Sequence, residues 1–154
     1  MATVEQSFFE SLRRSKAEAD AASGTNWNAA RDEWLAQINT LLHLVTSWLE
    51  PAVHEGLLRV ERAELDISEP YLGTYPVPKL LITTANGRSA RVEPHARIVL
   101  GALGRVNLVS GPNTAMLVQV TPDQWVIAVR SPGHLRQQPL TKETFLELLQ
   151  SLLG

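Results

Sequence analysis

Residues 79–93 read Lys79-Leu80-Leu81-Ile82-Thr83-Thr84-Ala85-Asn86-Gly87-Arg88-Ser89-Ala90-Arg91-Val92-Glu93. Two extended-type runs flank an Asn-Gly pair. That pair is the strongest short-range hairpin signal, because a type I′ turn requires positive φ at both central residues. The reading predicts a strand over 79–84, the turn at Asn86-Gly87, and an antiparallel return over 88–93. Strands joined this tightly must pair antiparallel, since a parallel pair needs a crossover of a dozen or more residues.

The period of two continues on both sides. Upstream, Leu58 and Val60 alternate with Arg59 and Glu61, and then Ala63, Leu65 and Ile67 alternate with Glu64 and Asp66. The phase slips by one residue near Arg62, which predicts a β-bulge there. Pro76 and Pro78 make 71–78 an edge or a loop, because proline brings no N–H to a ladder. Downstream, Pro94 is expected to break the strand. Short strands follow at 96–100, 105–109, 114–120 and 124–130, with turns at Gly101–Gly104, Ser110–Asn113 and Thr121–Asp123. The stretch 131–139, rich in Pro, Gly and Gln, reads as a loop.

Helical patterns bracket this region. Thr3 and Gln6 have capping-box spacing, Val4, Phe8 and Leu12 recur every four residues, and Ser23-Gly24 marks a stop. A second helix begins near Thr25 or Asn26, and Pro51 is expected to end it. Its apolar residues, Trp27, Trp34, Leu35, Ile38, Leu41, Leu42, Val45, Trp48 and Leu49, fall within an arc of about 140°. At roughly 36 Å it exceeds a typical strand, so part of it is expected to overhang the sheet, open to a partner. A last helix starts at the N-cap Thr141 and buries Phe145, Leu148, Leu149 and Leu152.

Together these predict a single α+β domain over 1–154. A helical hairpin spans 1–50, a six- to seven-stranded antiparallel twisted sheet spans 56–130, and a C-terminal helix spans 141–153. A partly closed barrel is the alternative. A chain of 154 residues buries roughly 70% of its extended surface on folding, enough for a core without staples. It has no cysteine, which excludes disulfides and thiolate metal sites. The start lacks signal-peptide features and no apolar run approaches the ~20 residues that span a bilayer, so the expected location is cytoplasmic, with no membrane association.

The net charge of −2 is unevenly spread. Residues 1–70 carry 6 Lys/Arg against 12 Asp/Glu, and residues 71–154 carry 8 against 4, a net of −6 and +4. The four histidines, His43, His54, His95 and His134, show no HxH or HxxxH spacing. No Walker A, GxGxxG or GxSxG sequence occurs, so no metal or cofactor is expected. Glu64 and Asp66 share a strand face but fit the solvent side of an alternating strand.

Three functional readings follow. The first is a non-enzymatic protein-interaction domain that takes a protein partner or forms a two-fold homodimer through its helices. Trp27, Trp34 and Phe8 are its candidate interface. On layout alone it groups with bacterial-type immunity proteins, secretion chaperones and regulatory subunits. The second is a small enzyme or ligand-binding domain with a pocket between the sheet and the Pro-rich segments 70–78 and 131–139, where Tyr75, His95 and His134 are the candidate residues. The third, disfavoured by the overall acidity and few aromatics, is an anion or nucleic-acid patch at Arg88, Arg91, Arg97 and Arg105.

Overall fold

The computed structural model describes residues 3–24, 27–97, 103–131 and 133–154, leaving aside the side chains of 16–24, 130, 131 and 134. Two helices, α1 (Val4–Gly24) and α2 (Trp27–His54), precede seven strands. These are β1 (Leu58–Glu69), β2 (Gly73–Thr84), β3 (Ser89–Ala96), β4 (Gly104–Ser110), β5 (Asn113–Thr121), β6 (Gln124–Ser131) and β7 (His134–Pro139). Helix α3 (Lys142–Leu153) follows. The strands form one antiparallel sheet in sequence order, β1-β2-β3-β4-β5-β6-β7, and it does not close into a barrel. No described helix is long and apolar enough to cross a membrane.

The hairpin at 79–93 forms, but with another turn. Gly87 N–H donates to Thr84 O at 3.0 Å and Thr84 N–H to Arg88 O at 2.8 Å. Gly87 has φ +86°, while Asn86 is absent from the positive-φ residues. This is a three-residue loop, Ala85-Asn86-Gly87, in which only the glycine needs the left-handed region.

Four further expectations are corrected or narrowed. First, the β1–β2 pairing is continuous from Leu58↔Thr84 to Glu69↔Gly73, so no bulge sits at Arg62. Instead both strands exchange their buried face together. Leu58 and Val60 share the inner face with Leu80 and Ile82, whereas Leu65 and Ile67 share it with Val77 and Tyr75. Residues 61–64, Ala63 included, are exposed between the two halves. β3 pairs with β2 only as far as Leu80↔Val92. Beyond that point β1 and β2 are a two-stranded ribbon, which twists more strongly than a wide sheet and turns its other face inward.

Second, of the edge or loop expected over 71–78 it is the edge that forms: 73–78 is strand, paired with β1 and left open by β3. Thr84 directs its N–H toward β3, so Pro76 and Pro78, in phase with it, direct their missing N–H to the flank that β3 leaves open. Third, Pro94 does not break β3: it pairs with Val106, and the register shifts between Pro94 and Ala96. The separate strand expected over 96–100 and its glycine turn lie largely outside the described residues. Fourth, 134–139 is the edge strand β7, because its main-chain hydrogen bonds to β6 form whatever its polar side chains are.

Helix α2 runs through Pro51 to His54. Proline forfeits one hydrogen bond, and within the last turn the loss is small. The end itself is a Schellman motif: Leu57 N–H bonds to Ala52 O at 2.9 Å and Gly56 N–H to Val53 O at 3.0 Å. The buried side of α2, Trp34, Ile38, Leu41, Leu42, Val45 and Leu49, joins Val106, Leu108, Leu117 and Ile127 of the sheet in one core. Trp48 of α2 leans on Phe145 of α3, ring centroids 5.6 Å apart. Thr141 caps α3 in a reciprocal pair with Thr144. The expected overhang of α2 is covered from within the chain: Trp27 stacks on Tyr71 of the ribbon tip at 5.1 Å and 12°. Helix α1 is capped by Thr3 and Gln6 as the spacing predicts. It does not pack back on α2 as a hairpin, since every described side chain from Thr3 to Ser15 is exposed.

Candidate interaction surface

The inner and outer faces of the sheet follow from the register. Val106, Leu108, Ala115, Leu117 and Ile127 point into the core. The alternate positions point away from both α2 and α3. In an antiparallel sheet with one face in water, these outward positions are normally polar. On β3 and β4 they largely are: Arg91 and Glu93 pair at 3.1 Å, Lys79 of β2 reaches Glu93 at 3.9 Å, and Arg105 Nε donates to Asn107 at 2.8 Å. On β5 and β6 they are not. Met116 stands opposite Ala128 and Val118 opposite Val126. Val120 and Leu135 extend the patch at 40% and 48% exposure. Met116, Val118 and Val126 take no part in the core cluster. The outward face is thus largely polar over β2–β4 and apolar over β5 and β6, where Ala128 is shielded by its neighbours and faces Gln137 of β7.

This patch was missed because each strand was read for one face only. The signal was present: Ala115-Met116-Leu117-Val118 and Trp125-Val126-Ile127-Ala128-Val129 are unbroken apolar runs. Such runs mark strands covered on both faces.

The candidate interface residues separate. Trp34 is fully buried, 6.2 Å from Trp125 and against Gly104, where a Cβ would meet its ring at 2.4 Å. It has no surface to offer a partner. Trp27 is half-buried under Tyr71, a residue held at φ +67°. Phe8 is 59% exposed and lies on an open stripe of α1 with Val4, Phe9 and Leu12, which are 89%, 46% and 48% exposed.

The arginines also separate. Arg88 donates to the carbonyl oxygens of Leu153 and Gly154 at 2.5 and 2.8 Å, placing a cation at the negative end of α3. Arg105, opposite Val118, adjoins the apolar patch on the outward face, Arg91 stands one strand further off opposite Val109, and Arg97 lies half-buried beyond β3, near the Tyr75 phenol.

Tyr75, His95 and His134 stand in unlike settings. The Tyr75 hydroxyl is buried and donates to Glu69, itself buried; burial, and then the Glu69 carboxylate, push the phenol well above its ordinary 10.0. His95 is exposed on β3. His134 opens β7, and its side chain lies outside the description. The Pro-rich segments belong to β2 and β7, five positions apart in the sheet order, or roughly 24 Å at normal strand spacing. Among the described residues, no group of three His, Asp or Glu side chains is arranged to hold a metal ion.

An apolar groove of about 440 Å³ lies where α2, α3 and the start of β1 meet, lined by Trp48, Pro51, Leu57, Leu146, Leu149 and Leu153. Glu55 and Lys142 also line it. Comparison of the chain with protein-family models, with curated proteins and with solved structures gives no match.

Proposed function

We propose that this chain is a protein-interaction domain with no catalysis of its own, docking a protein partner on the outward face of β5–β7. One observation carries the reading: Met116, Val118, Val126 and Ala128 occupy outward positions where a water-facing sheet places polar side chains. Apolar patches of this kind, rimmed by charge, mark interaction sites. Immunity-like, chaperone-like and regulatory-subunit roles all fit a domain that works by presenting a face, and the reading takes the protein to be cytoplasmic. The nucleic-acid reading loses support, since Arg88 caps α3, Arg91 pairs with Glu93 and Arg105 with Asn107.

The test is affinity capture by the wild-type chain and by Val118→Lys, with circular dichroism checking that both fold alike. A stoichiometric partner held by the wild type and lost by the variant is the expected result. Equal capture by both would remove the outward face from the reading.

A second reading attaches to the α2–α3 groove, whose apolar lining suits a small hydrophobic ligand. It expects an environment-sensitive apolar dye to bind the wild type and to bind Leu146→Glu far less.

A further inference from the structure

Among the described residues, two apolar surfaces besides the α2–α3 groove are covered by no other element: the outward patch of β5 and β6, with Leu135, and the stripe of α1. They match in character. Viewed down α1 at 100° per residue, Val4, Phe8, Leu12 and Phe9 span about 140°, and Glu5 falls inside that arc. The helix therefore presents an apolar stripe along its first three turns. The sheet presents Met116, Val118, Val120 and Val126, with Leu135 of β7 beyond them. Two apolar surfaces of this kind leave water by packing on one another.

The chain cannot make this contact with itself. Only residues 25 and 26 separate Gly24 from Trp27, so the ends of α1 and α2 are at most about 11 Å apart. Helix α2 lies on the inner face, and packed layers are about 10 Å apart. A helix on the outward face would therefore lie roughly 20 Å from α2, beyond the reach of that connection. A second copy has no such tether. Helix α1 has 21 residues, about 31 Å, which is long enough to leave its own domain and cross a neighbour's strands.

We infer that two copies of this chain form a reciprocal dimer, with α1 of each lying across the outward face of β5–β7 in the other. The inference rests on reading that face as a docking surface, and it names the occupant. A two-fold exchange covers these two surfaces in both copies, so the contact closes at two. The exposed parts of Val4, Phe8, Phe9 and Leu12 amount to about 400 Å² per helix at usual side-chain areas. Two helices and the two patches they cover then bury on the order of 1,600 Å², the size of a stable specific interface.

The absence of cysteine makes the test clean, because any thiol is an introduced one. Two variants of the full chain, Leu12→Cys and Met116→Cys, are mixed and oxidised, and masses in solution are measured by light scattering for the wild type, Phe8→Glu with Phe9→Glu, and Val118→Lys. The expected result is a wild-type dimer, a disulfide joining one copy of each cysteine variant, and a dissociation constant weakened on the order of 100-fold by either the glutamates or the lysine. A monomeric wild type at high micromolar concentration overturns the inference. So does a dimer that the Phe8/Phe9 change leaves intact. If the wild type is monomeric yet Val118→Lys loses a captured partner, the docking reading stands and only the second copy is wrong. If Val118→Lys matches the wild type in mass and in capture, both fall.

Discussion

The two faces of the β5–β6 hairpin carry nearly the same chemistry and meet opposite fates. Leu117 and Ile127 face inward and are fully buried beneath α2 and α3. Val118 and Val126, one residue along, face outward and are covered by no described element. Apolar side chains alone do not create a core: an opposing apolar layer must be within reach of the chain. The inner face has α2, tied across to β1 where Arg62 donates to Asn39. Among the described residues the outward face has none, because α1, whose apolar stripe is exposed, is fastened to the other side of the sheet.

That contrast predicts a graded set of effects. Trp34→Ala acts on the most enclosed inner site, between Trp125 and Gly104, and should cost about 3–5 kcal/mol of folding stability by denaturant titration. A loss near that of a surface change would mean that the inner face is loosely packed. Gly104→Ala pushes a methyl into the Trp34 ring and should cost about 1–3 kcal/mol, with a change in tryptophan fluorescence.

Alkaline pH reaches the same layer through Tyr75. The folded chain holds this phenol above its unfolded value of 10.0, so its stability contribution is intact below pH 10. Above that the unfolded chain releases the proton first, and stability falls as pH rises, by at most about 1.4 kcal/mol per pH unit for one group. Tyr75→Phe should flatten that alkaline slope, and an unchanged slope would assign it to other groups.

The smallest effect belongs to the outer face. Val126→Thr removes apolar surface without a charge and should shift the stability of the isolated monomer by no more than about 0.5 kcal/mol. A loss as large as that of an inner-face residue would show that this face is already covered.

Much of this was legible from residue order. Capping spacing marked the start of α1 at Thr3 and of α3 at Thr141, and the apolar arc of α2 named its buried side. Alternation and turn residues placed most strands, because these are local preferences set by φ, by hydrogen-bonding capacity and by period. The prolines misled in part. Pro94 reads as a break, and Pro76 and Pro78 as an edge or a loop, yet a proline harms a ladder only where its missing N–H faces a neighbour. For Pro76 and Pro78 that direction depends on where β3 stops pairing, which no local stretch records.

The sequence by itself determined the α+β class, the antiparallel pairing of neighbouring strands and the inner core. Each follows from short-range periodicity and from connections too tight for any other pairing. Only the tertiary structure decided that the β1–β2 ribbon turns over to cover the overhang of α2, that Trp34 is core and not interface, and that the apolar outward face of β5–β7 and the stripe of α1 are left uncovered. Those outcomes depend on which layers a finite connection allows to meet, a property of the folded path that no run of residues carries alone.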